Sequence, residues 1–133
     1  MAIDYGKKRT GLAVTDSLRI IATPLETVLT ADLFKFLADY TKRETVDEFV
    51  VGMPKTLKNE DSEMAPLVRL FVVELKKLFP DRKVHLADER FTSGIAMKAM
   101  IEGGMKKKDR KDKSNVDKIS ATLILQSFLS SQQ

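Results

Sequence analysis

The 133 residues suit a single domain spanning 1–133, and 43% hydrophobic with 32% charged content is ordinary for a globular chain with a core. Without cysteine there is no disulfide or thiolate metal site, no apolar run nears the roughly 20 residues that span a bilayer, and no signal pattern opens the chain, so a cytoplasmic location is expected. The net charge of +4 is local: residues 1–105 hold 16 Lys+Arg against 16 Asp+Glu, and the excess sits in the run from Lys106, Lys107, Lys108 and Arg110 to Lys113, which reads as a nucleic-acid contact or a solvated loop.

Taken in chain order, Ala2-Ile3-Asp4-Tyr5 reads as a short strand broken at Gly6. Arg9 to Asp16 reads as a second strand after the turn Gly6-Lys7-Lys8, and Ile20 to Leu29 as a third. Such close spacing implies antiparallel hairpins. Leu33, Phe36, Leu37 and Tyr40 then recur at helical spacing, with Thr30 as N-cap. Glu48 to Gly52 is a buried strand by composition. The next helix turns Leu67, Phe71, Leu75 and Leu78 inward, with Ser62 as its N-cap and Pro66 in the first turn. Lys83 to Ala87 is another strand, and a helix from about Thr92 stops at Gly103-Gly104. Beyond the basic run, Val116, Ile119, Leu123 and Phe128 mark a last helix. The order β-β-β-α-β-α-β-α-α predicts an α/β fold. Its five-stranded mixed sheet has three antiparallel hairpin strands and two crossover strands, flanked by helices.

Three acids fall where a sheet-based metal site needs them. Asp4 lies in a strand that is central if later strands add on both sides, where a buried charge needs a partner. Glu89 follows the strand ending at Ala87, and ligands gather at the carboxyl ends of parallel strands. Asp117 lies in the first turn of the last helix, where Ser114-x-x-Asp117 also fits a capping box. Hard cations such as Mg²⁺ or Mn²⁺ prefer carboxylate oxygens, and two ions about 4 Å apart would activate a water and stabilise the leaving oxygen of a phosphodiester. Lys7, Lys8 and Arg9 form a basic cluster suited to phosphates. His85, Asp88 and Asp16 are weaker candidates, more simply read as packing or ion-pair residues.

Four segments together resemble a known family. They are Asp4-Tyr5-Gly6-Lys7-Lys8-Arg9-Thr10-Gly11-Leu12-Ala13-Val14-Thr15-Asp16, Val50-Val51-Gly52-Met53-Pro54, Asp88-Glu89-Arg90-Phe91-Thr92, and Asp117 with Ser120-Ala121-Thr122-Leu123 through Leu129. In this order and spacing they resemble the YqgF-type, Holliday junction resolvase-like proteins, also described as nucleases for pre-16S ribosomal RNA. The resemblance implies a ribonuclease H-like fold and a catalytic, metal-binding triad of Asp4, Glu89 and Asp117, holding one or two Mg²⁺ or Mn²⁺ ions. It gives Asp117 a ligand role beside its helix-capping one. Lys7, Lys8, Arg9, Arg90, Lys106, Lys107, Lys108 and Arg110 would then hold the nucleic-acid backbone, a contact that positions without reading sequence. The loop Lys55 to Ser62 departs from the family in lacking a glycine after Gly52-Met53-Pro54.

The expected activity is metal-dependent hydrolysis of phosphodiester bonds in structured nucleic acid, in 5′-end processing of an rRNA precursor. Cleavage of branched DNA is the alternative, and an inert nucleic-acid-binding module a third reading. An actin-like or sugar-kinase ATPase also opens with Asp-x-Gly but needs two such domains around its nucleotide. No membrane contact is expected. A junction cutter would act as a dimer, whereas a single-strand processor could be a monomer.

Overall fold

The computed structural model describes residues 1–54, 63–88 and 113–131. The elements are β1 (Ala2–Asp4), β2 (Arg9–Thr15), β3 (Ala22–Leu29), a 3₁₀ turn (Thr30–Asp32), α1 (Leu33–Arg43), β4 (Glu48–Met53), α2 (Ala65–Leu78), β5 (Lys83–Asp88) and α3 (Lys113–Ser131). The expected helix from Thr92 to Gly103-Gly104, the loop Lys55 to Ser62, Glu89, Arg90 and the basic residues 106–112 lie outside the described residues.

One five-stranded sheet runs in the order β3-β2-β1-β4-β5. β1, β2 and β3 pair antiparallel as hairpins, while β4 and β5 join in parallel through helical crossovers. This is the predicted mixed α/β sheet. β1 is the central strand although it has only three residues. A strand this short is held by its neighbours: Ile3 pairs with Leu12 on one side and Val51 on the other, and all three are fully buried.

Period-two alternation divides the sheet into two faces. Ile3, Leu12, Phe49 and Val51 pack with Leu33 and Leu37 of α1 and Val68, Phe71 and Leu75 of α2. Ala2, Ala13 and Val50 point the other way and pack under Ala121, Ile124 and Leu125 of α3. The alanines keep that second face low, so the buried side of α3 is correspondingly small, with Ser120 and Ala121 at its centre.

Several helix details differ from the sequence reading. Thr30 is not the N-cap of α1, since the 3₁₀ turn intervenes and Asp32 precedes the helix. The Thr30 hydroxyl instead donates to the Gly6 carbonyl at 2.7 Å. α2 starts at Ala65 behind Met64 rather than at a Ser62 cap, with Pro66 in the first turn where its missing N–H costs nothing. Its buried face is Val68, Phe71, Val72 and Leu75, while Leu67 and Leu78 are exposed. The helix is apolar on most sides, so two helical stripes compete in the sequence and the β-branched one wins. In α3 the buried stripe is Ser120, Ala121, Ile124 and Leu125, and Val116, Ile119 and Leu123 are only half-buried. The third strand starts at Ala22; Ile20 and Ile21 belong to the exposed turn before it.

Candidate metal and nucleic-acid site

Asp4 ends the central strand, half-buried, on the face that Ala2 shares with α3. Its cross-strand partner is Gly11 of β2. Gly11 carries no side chain for a steric reason. A Cβ there would run into the main-chain carbonyl of Asp117 and lie 3.0 Å from its Cβ. The helix therefore touches the sheet at Asp117, and it does so beside the strand position that faces Asp4. Two acids separated by 113 positions in the chain thus flank the same glycine.

Asp117 does not occupy the first turn of its helix. α3 already runs from Lys113, so Ser114 lies inside it and no acid falls in the first turn. The capping-box reading fails on that ground. Arg9 of β2 reaches it, its Nε donating to Asp117 Oδ2 at 3.3 Å with both side chains about a third exposed or less. Alternation places Arg9 on the Gly11 face of β2, as the contact requires.

The turn between β1 and β2 is fixed from below. The Thr30 carbonyl accepts from the Leu33 N–H within the 3₁₀ turn, its own backbone N–H donates to Lys8 O at 2.9 Å, and its hydroxyl lies 2.9 Å from that of Thr10. Thr10 is completely buried, so this hydroxyl pair satisfies a group that would otherwise be stranded. Gly6 allows the turn to close, because a Cβ there would meet the Arg9 carbonyl oxygen. Lys7 and Lys8 project from the turn, both exposed.

The third expected acid, Glu89, follows Asp88 in the chain, and Asp88 closes β5 opposite Met53 of β4. β1, β4 and β5 are mutually parallel, so Asp4, Met53 and Asp88 end at the same edge of the sheet. Among the described residues no group of three acids or histidines forms a metal cage, and Asp4 and Asp117 are the two members of the expected triad within them. The donor set fits a hard cation: it offers carboxylate oxygens, the chain has no thiol, and His85 is engaged elsewhere. His85 Nε2 lies 3.1 Å from Glu48 Oε1, and its ring packs on Phe128.

A cleft of about 400 Å³ opens at the opposite, amino end of β1 and β4, among Met1, Arg19, Glu44, Asp47, Glu48 and Phe128. Arg19 is already bound to Asp47 at 2.7 Å and Glu48 at 3.5 Å, and the remaining acidic lining repels phosphate. It is not the place for a polyanion. Burial beside it lowers the Met1 amine to about 6, against the pull of Glu48 and Asp47.

Sequence reasoning missed Gly11 as a site residue. The available signal was a glycine inside a strand, which marks close approach of another backbone. Arg9, expected as a phosphate contact, has its guanidinium against Asp117 in this structure.

Among the described residues no helix is long and apolar enough to cross a membrane. A family model described as RuvX, Holliday junction resolvase, matches residues 1–131. A "Putative pre-16S rRNA nuclease" of Amoebophilus asiaticus is 52% identical over 131 residues, covering 98% of this chain and 93% of its own. Proteins with the same name from Bacteroides fragilis and Phocaeicola vulgatus are 50% and 53% identical over 133 residues, covering all of this chain and 96% of theirs.

Proposed function

The chain belongs to the RuvX family of Holliday junction resolvases and is a nuclease of ribonuclease H-like fold, and from that premise we propose that Asp4, Glu89 and Asp117 are its catalytic, metal-binding acids and pre-16S rRNA its substrate. The observation that carries the reading is that Asp4 and Asp117 both lie beside Gly11 at the carboxyl edge of β1. Carboxylates gathered at one edge repel each other and attract a hard divalent cation. The cation, Mg²⁺ or Mn²⁺, would supply charge neutralisation at the scissile phosphate and acidify water.

The remaining work falls to the chain's own groups. The turn at Lys7 and Lys8, braced by Thr30, presents two exposed ammonium groups beside Asp4. These would hold phosphates as point charges, orienting the backbone without reading bases. Arg90 and the run containing Lys106, Lys107, Lys108 and Arg110 would extend that contact. The relatives' name favours an rRNA precursor, and we take the chain to act on it as a single domain over 1–133 in the cytoplasm. The family description favours a second substrate, branched DNA, which would call for a dimer.

The test is cleavage of a precursor rRNA and of a four-way DNA junction, each with Mg²⁺, with Mn²⁺ and with EDTA. Asp4→Asn and Glu89→Gln should abolish product from the preferred substrate while circular dichroism stays that of the parent. Undiminished cleavage by both variants would sink the assigned acids. Salt-dependent binding with no cleavage under any condition would instead favour an inert binding module.

A further inference from the structure

We infer that Arg9 is a positioning residue of the candidate metal site: its guanidinium occupies Asp117 as an internal counter-ion, so that divalent metal and Arg9 compete for the same carboxylate. This rests on the reading of Asp117 as a metal ligand.

The contact is the Arg9 Nε to Asp117 Oδ2 pair at 3.3 Å. Charge-assisted N–H···O bonds between a guanidinium and a carboxylate ordinarily sit at about 2.7–2.9 Å and are often doubled. Here the separation is long and runs through Nε. The pair is therefore strong enough to offset carboxylate repulsion and loose enough to be displaced. Its setting points the same way. The main chain of Asp117 lies directly against Gly11, so its backbone cannot move closer to the sheet when the carboxylate changes partner. Arg9 directly follows the exposed Lys7 and Lys8 in the chain, and its own side chain is about a third exposed. A cation arriving at Asp117 has a built-in positive group to displace, and the displaced guanidinium emerges where the phosphates would lie.

Two consequences separate this role from ordinary packing. Removing the guanidinium frees an oxygen of Asp117 and removes a like charge, so divalent metal should bind more tightly. The metal-free protein, in contrast, should lose stability, and only while Asp117 carries its charge. The experiment is calorimetric titration of Mn²⁺ into the full chain, with thermal melting in EDTA, for the parent, Arg9→Ala, Arg9→Lys and Asp117→Asn, and for Arg9→Ala in the Asp117→Asn background. Arg9→Ala should bind Mn²⁺ about three- to fivefold more tightly and melt about 3 °C lower in EDTA, the size of a partly exposed ion pair. Arg9→Lys should fall between, and Arg9→Ala should not lower the melting temperature further once Asp117 is Asn. Arg9→Gln gives the same comparison if the alanine variant fails to fold. Parent binding of Mn²⁺ with equal or weaker binding by the neutral Arg9 variants overturns the counter-ion role and leaves the metal site standing. No Mn²⁺ binding by the parent overturns the metal site, and the inference with it.

Discussion

Gly11 and Asp117 stand in main-chain contact: the strand position opposite Asp4 is bare because the carbonyl of Asp117 fills the space a Cβ would take. Neither partner can yield cheaply. Gly11 is inside a two-sided strand, and the obstructing atoms belong to helix backbone rather than to a flexible side chain. Gly11→Ala should therefore push α3 off the sheet and cost about 1–3 kcal/mol, the usual range for overpacking. Urea unfolding measures the loss. Mn²⁺ affinity should fall with it, because the carboxylates of Asp4 and Asp117 move apart.

Thr30→Val leaves the Gly6 carbonyl without its 2.7 Å donor and the buried Thr10 hydroxyl without its partner. The expected cost is about 1–3 kcal/mol, the penalty for stranding a buried polar group. Replacing Thr10 by Val as well should recover part of the loss, since an apolar pair of the same shape no longer strands a hydroxyl. Additive losses in the double variant would show that the two hydroxyls do not act as a pair.

The exposed and buried stripes of α2 make a direct comparison. Leu75 is fully buried and Leu78 more than half exposed. Leu75→Ala should cost about 2–5 kcal/mol as a core cavity, whereas Leu78→Gln should change stability by less than about 0.5 kcal/mol. Equal losses at both positions would rotate the helix back to the face suggested by its leucines.

Asp16 holds the turn between β2 and β3, accepting from the N–H groups of Ile20 at 2.8 Å and Ile21 at 3.0 Å. The Ile21 and Ile20 hydrogen bonds pull its carboxyl below the ordinary 3.8. A depressed acid stabilises the fold above its unfolded value and loses that contribution as pH falls through the lower folded value. The amide resonances of Ile20 and Ile21 should therefore hold steady at neutral pH and move only in acid, with a midpoint below 3.8. In Asp16→Asn that titration should vanish. A midpoint at or above 3.8 would contradict the bonding.

Much of the architecture was legible because it follows from alternation and spacing. The five strands, their hairpin and crossover connections and the central place of Asp4 emerge from short apolar runs and the turns between them. Helix faces were less legible. In α2 valines and leucines crowd most of the surface, and in α3 the buried residues are Ser120 and Ala121, which hydrophobicity alone does not select. The site was half legible. Asp4 and Asp117 could be named from resemblance, but their meeting depends on Gly11, whose role is an absence of atoms. The Arg9 contact depends on a side-chain direction that spacing does not encode.

The placement of α3 also sets the order of events during synthesis. The sheet's second face is closed only by the last described element, which packs on Ala2, Ala13 and Val50 from the first half of the chain. Asp4 is made more than a hundred residues before Asp117, and contacts so distant in sequence form late. A nascent chain still lacking that helix has Asp4 but not its partner. The two acids are therefore brought to the same edge only once α3 has docked on the sheet.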